Sequence, residues 1–151
     1  MSTRESGAAE LDREERADLL GTGGTGVLSF SRGADEPPHS IPVSYGYDAA
    51  TETFYFRLAV GPDSEKADLL DHGVSLVVHD HDDERWRSVV ASGRLEATDD
   101  DAVGTEALAG LDRSHIPLFD VFDEPDSKVP FAFYRLVPDS LTGRRESVVR
   151  D

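Results

Sequence analysis

From His39 to Ala97 the chain is written largely in short runs whose apolar residues recur at every second position. HSIPVSYGYD (His39 to Asp48) sets Ile41, Val43, Tyr45 and Tyr47 against small or polar neighbours, the period of a half-buried strand. AATE supplies a turn and TFYFRLA (Thr53 to Ala59) returns, which predicts an antiparallel hairpin. VSLVVHD (Val74 to Asp80) and the long WRSVVASGRLEA (Trp86 to Ala97) predict a second pair. GVLSFS (Gly26 to Ser31) adds a strand before them and FAFYRLVPD (Phe131 to Asp139) one after.

Three segments break this period. ELDREERADLL, with Leu11, Leu19 and Leu20 apolar and the other face charged, predicts a short amphipathic helix. SEKADLLDHG predicts another, with Ser64 as N-cap and Gly73 as its stop. DDDAVGTEALAGL predicts a third, its first turn rich in acids that the helix dipole favours. RGADEPP is a proline-barred turn, and residues 1–9 read as a disordered leader. Residues 115–130 form an irregular segment with apolar anchors, suited to covering an interface, and SLTGRRESVVRD reads as a polar tail. Strands outnumber helices and most are joined as hairpins, so the expected architecture is mainly β with α, a small antiparallel barrel in a single domain over residues 10–151.

Charge changes the picture of the surface. The 151 residues carry 31 acidic and 15 basic side chains, a formal net charge of -16. That field repels polyanions, so nucleic acid and anionic membranes are excluded as partners on this reading. Acid on every surface and arginine in place of nearly all lysine point to a halophilic, high-salt cytoplasm. No cysteine is present, which excludes disulfides, thiolate metal sites and thiol catalysis, and any redox chemistry must come from a cofactor. No apolar run approaches the ~18 residues of a membrane span, so a soluble cytoplasmic protein is expected.

Candidate chemistry is sparse. GTGGTG (Gly21 to Gly26) has the letters of a dinucleotide-binding turn, but its glycines follow a helix and lead into a strand, the reverse of the order that rests a pyrophosphate on a helix N-terminus. It reads as a flexible connection. HDHDD (His79 to Asp83) has metal-binding letters in an acid-rich turn, and no metal is expected. The chain has only two lysines, and one of them, Lys66, stands in the first turn of the helix after TFYFRLA. A solvated ion pair with Glu65 or Asp63 is the plain reading. Helix-terminal amides, the Ser64 hydroxyl and the cations Arg57 and Lys66 are also what a phosphate requires. A cation about 4 Å from a phosphate charge contributes about 4 kcal/mol before desolvation at an effective dielectric of 20.

The order HSIPVSYGYD, TFYFRLA, SEKADLL, VSLVVHD, WRSVVASGRLEA resembles the FMN-binding split barrel of the pyridoxamine 5'-phosphate oxidase family, from about Leu19 to about Asp99, with an echo in FAFYRLVPDSLTGRR. The resemblance implies a six-stranded Greek-key barrel and a homodimer with FMN at the subunit interface. It implies that Ile41, Pro42, Val43 and Ser44 lie along the flavin through their main chain and that Tyr55, Phe56 and Arg57 flank the ring and ribityl chain. It further implies that Ser64 and Lys66 hold the phosphate, that Ser88 reaches the flavin, and that Trp86 lies where the partner is touched. His39 stands where the vitamin B6 oxidases carry an arginine, Glu65 where they carry a second basic residue, and only Arg144 and Arg145 are available for their C-terminal basic motif. The likeness is therefore to the short members, among them flavin reductases, nitroimidazole-reductase-like proteins and deazaflavin F420 binders. An FMN-dependent oxidoreductase is the expected function; an F420-binding reductase and a non-catalytic flavin or haem carrier are the alternatives.

Overall fold

The computed structural model describes residues 9–33, 35–59, 69–99, 107–109 and 131–147. Nine strands and one helix follow in the order β1 (Ala9–Glu10), α1 (Arg13–Leu20), β2 (Gly23–Phe30), β3 (His39–Asp48), β4 (Thr53–Ala59), β5 (Val74–His81), β6 (Arg85–Gly93), β7 (Leu95–Thr98), β8 (Phe131–Leu136) and β9 (Ser140–Ser147). Leu69 to Asp71 and Ala107 to Ala109 are helical as well, the described parts of the second and third expected helices.

All nine strands belong to one sheet, ordered β1-β9-β6-β5-β2-β3-β4-β8-β7. The six strands expected become nine for two reasons. The run expected as one long strand breaks at Arg94 into β6 and β7, and the expected polar tail contributes β9, with β1 beside it. Ala9 pairs with Arg145, so the segment read as a leader ends inside the sheet. Because Arg94 alone separates β6 from β7, the two ends of the run β6-β5-β2-β3-β4-β8-β7 meet at one residue, and the sheet curls round on itself. β5 lies beside β2 while β2, β3 and β4 follow one another, the spatial order of a Greek key.

The alternation in the sequence decides which side chains fill the curl. Leu28 and Phe30 of β2, Val43, Tyr45 and Tyr47 of β3, Phe54, Phe56 and Leu58 of β4, and Val74, Leu76 and Val78 of β5 are all buried in one cluster with Tyr134 and Leu136 of β8. Tyr45 and Tyr47 both pack on Phe54, with ring centroids 5.8 and 4.7 Å apart. The Tyr45 hydroxyl, buried, donates to the Leu20 carbonyl at 2.9 Å and so fastens the end of α1 to the barrel. Burial pushes the Tyr45 phenol well above its ordinary value, with the Asp80 charge adding to the effect.

The glycines of GTGGTG are not a flexible connection. Gly23, Gly24 and Gly26 are strand residues of β2. A Cβ on Gly24 would lie 3.3 Å from the Tyr45 hydroxyl, and one on Gly26 only 2.8 Å from the Val77 carbonyl oxygen. The neighbouring strand and ring occupy the space that side chains would need.

α1 is held by a capping box in which the Asp12 carboxylate accepts from the Glu15 amide at 2.8 Å and the Glu15 side chain accepts from the Asp12 amide at 3.1 Å. Arg145 pairs with Glu15, and Arg87 makes a fork to Asp80 (2.6 and 3.0 Å) while reaching Asp18 at 2.8 Å, so both basic residues tie the helix to the sheet. Those carboxylates raise the already high pKa of Arg87 further.

Candidate functional site

The ladder between β3 and β4 is short. Gly46 pairs with Tyr55, Tyr47 with Phe54 and Asp48 with Thr53; beyond Gly46, β3 pairs among the described strands with β2 alone, and beyond Tyr55, β4 with β8 alone. The described ladder between the two strands ends at this point, and the parting of β3 from β4 beyond it is the slot between them. Ser44 and Arg57 each stand two residues past the last pair, both half-buried, and the alternation puts them on the outer side. Tyr55, on the same side of β4, is buried beneath Ala107 and packs with Leu108 and Phe133.

Gly46 lets that cover sit down. A Cβ there would be 2.2 Å from the Ala107 carbonyl oxygen, so the helical segment at Ala107 rests directly on the β3 backbone. The slot is thus bounded by a fixed cover on the Gly46 and Tyr55 side. Arg57 lies on its other side, and the chain leaves β4 two residues later at Ala59.

The expected site residues fall into two groups. Ile41, Pro42, Val43 and Ser44 on β3 and Tyr55, Phe56 and Arg57 on β4 surround the slot. Of these, Val43 and Phe56 send their side chains into the core, where 4% and 0% of each is exposed, and they present only main chain outward. Trp86 and Ser88 lie on β6, three strands from β3 and about 14 Å away at the usual strand spacing. Ser64 and Lys66 lie outside the described residues. His39, at the start of β3, meets Phe30 edge-on with centroids 5.1 Å apart.

Between the two groups runs an outer face of small, uncharged residues. Ser40, Ser29, Ser75, Ser92 and Ser140 stand opposite one another in a single row across β3, β2, β5, β6 and β9. The next row is Pro42, Val27, Val77, Val90 and Thr142. Val27 is 39% exposed, and no carboxylate stands in either row of a chain with 31 acids. The sequence reading missed this face, although its signal is there: Ser29, Ser40, Pro42, Ser75, Val77, Val90 and Ser92, which alternate with core positions in the middle of β2, β3, β5 and β6, include no aspartate or glutamate.

At the far end of that face the HDHDD letters separate. Asp80 is taken by Arg87, and the Asp82 carboxylate accepts from the Glu84 and Arg85 amides at 2.8 and 2.9 Å, which shapes the turn and lowers its pKa. His81 stacks on Trp86 with centroids 4.3 Å apart. His79 faces Ser88 across the ladder. Among the described residues no three His, Asp or Glu side chains come together in a way that holds a metal ion. No described helix is long and apolar enough to cross a membrane.

The slot's chemistry fits the polyol and anionic tail of a flavin nucleotide: Arg57 brings a cation, Ser44 a hydroxyl, and the departing β3 main chain further donors and acceptors.

Comparison with solved structures finds this architecture in flavoproteins. The FAD binding protein from Mycobacterium smegmatis is 23% identical, with 93% of this chain and 99% of that one covered and a TM-score of 0.61. A FAD-binding protein from Mesorhizobium loti is also 23% identical, covering 93% and 98%, with a TM-score of 0.63. The FAD and heme binding protein from Mycobacterium smegmatis is 19% identical, covering 96% and 76%, with a TM-score of 0.65. At these identities the likeness is one of fold. No curated protein matches. The pyridoxamine 5'-phosphate oxidase family model matches residues 12–145, nearly the whole described barrel, and the chain belongs to that family.

Proposed function

We propose that the protein is a flavin-dependent oxidoreductase that seats the FMN moiety of its cofactor at the slot between β3 and β4. The observation that carries this reading is the position of Arg57, a half-buried cation on the outer side of β4 where β3 departs, in a chain with a net charge of -16. A dianionic tail needs such a local reversal of the field. Ser64 and Lys66, in the segment that follows β4, complete the phosphate grip, and Ser44 and the β3 main chain hydrogen-bond the ribityl and ring edge. The Ala107 cover on Tyr55 excludes water from that side. A bound flavin supplies the electron-transfer chemistry; the chain's own residues bind, orient and shield it.

FAD is a second reading, favoured by the cofactor named for three solved neighbours. It shares the FMN moiety and the same grip, with its adenylate outside the slot. A homodimer belongs to the proposal as well. The serine and valine rows carry no carboxylate in a chain with a net charge of -16, so a second copy of the chain is the partner that this face suits.

Denaturing the purified protein and weighing the released chromophore tests the assignment. FMN or FAD supports it and distinguishes its two forms. Haem alone, a deazaflavin such as F420, or a protein that takes up neither FMN nor FAD on reconstitution overturns it.

A further inference from the structure

Among the described residues Glu52 alone, glycines aside, holds a left-handed backbone, with a φ of 53°. It ends the turn between β3 and β4, in a conformation that suits glycine or asparagine and not glutamate. Such a residue persists where its surroundings hold it there, and the holders are on α1. The Arg16 guanidinium donates to Glu52 Oε2 at 3.3 Å. The Arg13 guanidinium lies 3.8 Å from Glu52 Oε1 and donates to the Ala49 and Ala50 carbonyls of the same turn at 3.1 and 3.2 Å. Only 19% of the Arg16 side chain and 30% of Glu52 are exposed, so this pair is sheltered from the screening that makes rim pairs weak. Arg16 also donates to the Leu11 carbonyl at 3.2 Å, and among the described residues no acceptor reaches its buried Nε, which leaves the guanidinium dependent on the partners it has.

The other side of α1 is tied to a different wall of the barrel. Glu15 pairs with Arg145 of β9, Asp18 accepts from Arg87 of β6 at 2.8 Å, and the Leu11 amide just before the helix donates to the Gly143 carbonyl of β9 at 2.9 Å. Sheet order puts β6 four strands from β4, so α1, about 12 Å long, crosses the end of the curl rather than following it. Arg13, Glu15, Arg16 and Asp18, four of the five charged residues of the helix, serve these two attachments. We propose that α1 is a brace across the end of the barrel with Glu52 as its catch, and that the brace fixes the β3–β4 hairpin and so the width of the slot beyond it. The hairpin needs such help. Three residue pairs join β3 to β4 in the described ladder before the slot begins past Gly46 and Tyr55, and a hairpin so short is held poorly by its own rungs. Arg13, Arg16 and Glu52 act on the slot through this backbone, as positioning residues.

The brace is a property of the fold; only its effect on a bound cofactor rests on the flavin reading. Amide hydrogen exchange, read by mass spectrometry on the full chain without flavin, compares peptides of the β3–β4 hairpin with those of β5 and β6. Glu52→Asn is the telling variant, because the two explanations of Glu52 predict opposite signs for it. Asparagine suits the left-handed backbone, so a mere turn residue would leave the hairpin as firm as before or firmer. Its side chain is too short for the arginines, so a lost catch frees the turn. Hairpin exchange about tenfold faster is expected, the size of one charge-assisted hydrogen bond, with β5 and β6 at the parent's rate. In Arg16→Met and Arg13→Met chains the same substitution is expected to change exchange less, since part of the hold is already gone. Arg13 is 60% exposed, so its replacement leaves the core intact. With FMN loaded, release from Glu52→Asn is expected to be severalfold faster than from the parent.

Hairpin exchange in Glu52→Asn at or below the parent's rate overturns the proposal, as does an acceleration that β5 and β6 share. An acceleration of the same size in the parent, Arg16→Met and Arg13→Met backgrounds removes the arginines as the holders and overturns it too. FMN released at the parent's rate from a Glu52→Asn chain whose hairpin has loosened overturns the link from brace to slot. A chain that takes up no FMN counts against the flavin assignment, and the exchange rates, measured without flavin, still decide the brace.

Discussion

Replacing Gly46 by alanine tests how the slot is built. Gly46 does not have a positive φ, unlike Gly21 and Gly33, so its backbone accepts an L side chain and space alone decides the outcome. The added Cβ would fall 2.2 Å from the Ala107 carbonyl oxygen and 2.8 Å from its carbon. Carbon–oxygen contacts settle near 3.3 Å, so the Ala107 segment has to retreat by about 1 Å. Lifting it loosens the cover over Tyr55, which is 7% exposed, and over its neighbour Phe133. Overpacking of this kind costs about 1–3 kcal/mol, against which removing a strand glycine returns about 0.5–1 kcal/mol. The balance is a net loss of about 0–2.5 kcal/mol, and at ~2–4 °C per kcal/mol for a domain of this size the melting temperature is expected to fall by about 4 °C, and by roughly 10 °C at most. Differential scanning calorimetry on Gly46→Ala and on Gly73→Ala, where the nearest atom to an added Cβ is 3.8 Å away, separates crowding from entropy. A Gly46→Ala protein that gains as much stability over the parent as Gly73→Ala does would refute the close seating of Ala107 on β3.

Alkaline pH offers a second check. Burial raises the phenol pKa of Tyr45, Tyr47 and Tyr134, three of the four tyrosines, above the ordinary 10.0. A raised folded value means stability that is complete below the unfolded phenol value of about 10 and is lost as pH climbs through the folded values. Phenolate absorbance from these three is therefore expected to appear together with unfolding, monitored by circular dichroism; a titration of all four completed in the folded state near pH 10 contradicts their burial. For the oligomer, Val77→Asp puts a carboxylate into the centre of the uncharged face and is expected to turn a dimer into a monomer by analytical ultracentrifugation. A wild-type monomer, or a Val77→Asp dimer of unchanged strength, removes that face as the interface.

What the sequence revealed and what it hid follow from how each element buries its residues. β3 and β4 were legible to the residue, because Ile41, Val43, Tyr45 and Tyr47 alternate against small neighbours and AATE marks the turn. β9 was not: its core-side positions are Leu141, Gly143 and Arg145, one apolar residue, one glycine tucked against Leu11 and one arginine paired with Glu15, so no hydrophobic period is visible. The start of β2 was hidden for a related reason, since its glycines are filled from outside by Tyr45 and by the β5 backbone rather than by side chains of their own. The break at Arg94 has a tertiary cause. Gly93 comes so close to Leu136 and Asp139 that an added Cβ would meet them at 3.0 and 3.3 Å, and the chain there leaves β5 and β9 to pair with β8. Of the candidate site, Arg57 was reached from the residues alone by asking what a cation does beside a helix start in an acidic chain. The separation of Trp86 and Ser88 from the slot needed the strand order and the register of β5, β6 and β9, which no single-strand pattern contains.

The proposed flavin site requires Arg57, Ser64 and Lys66 to grip a phosphate, and the most direct measurement compares FMN with riboflavin, which lacks only that phosphate. Dissociation constants for both ligands are taken on the parent, Lys66→Ala and Arg57→Gln. The grip predicts that each substitution weakens FMN by about tenfold or more, the worth of a charge-assisted contact, while riboflavin shifts by no more than about twofold. Parallel losses for the two ligands, or an FMN affinity indifferent to both substitutions, would contradict it.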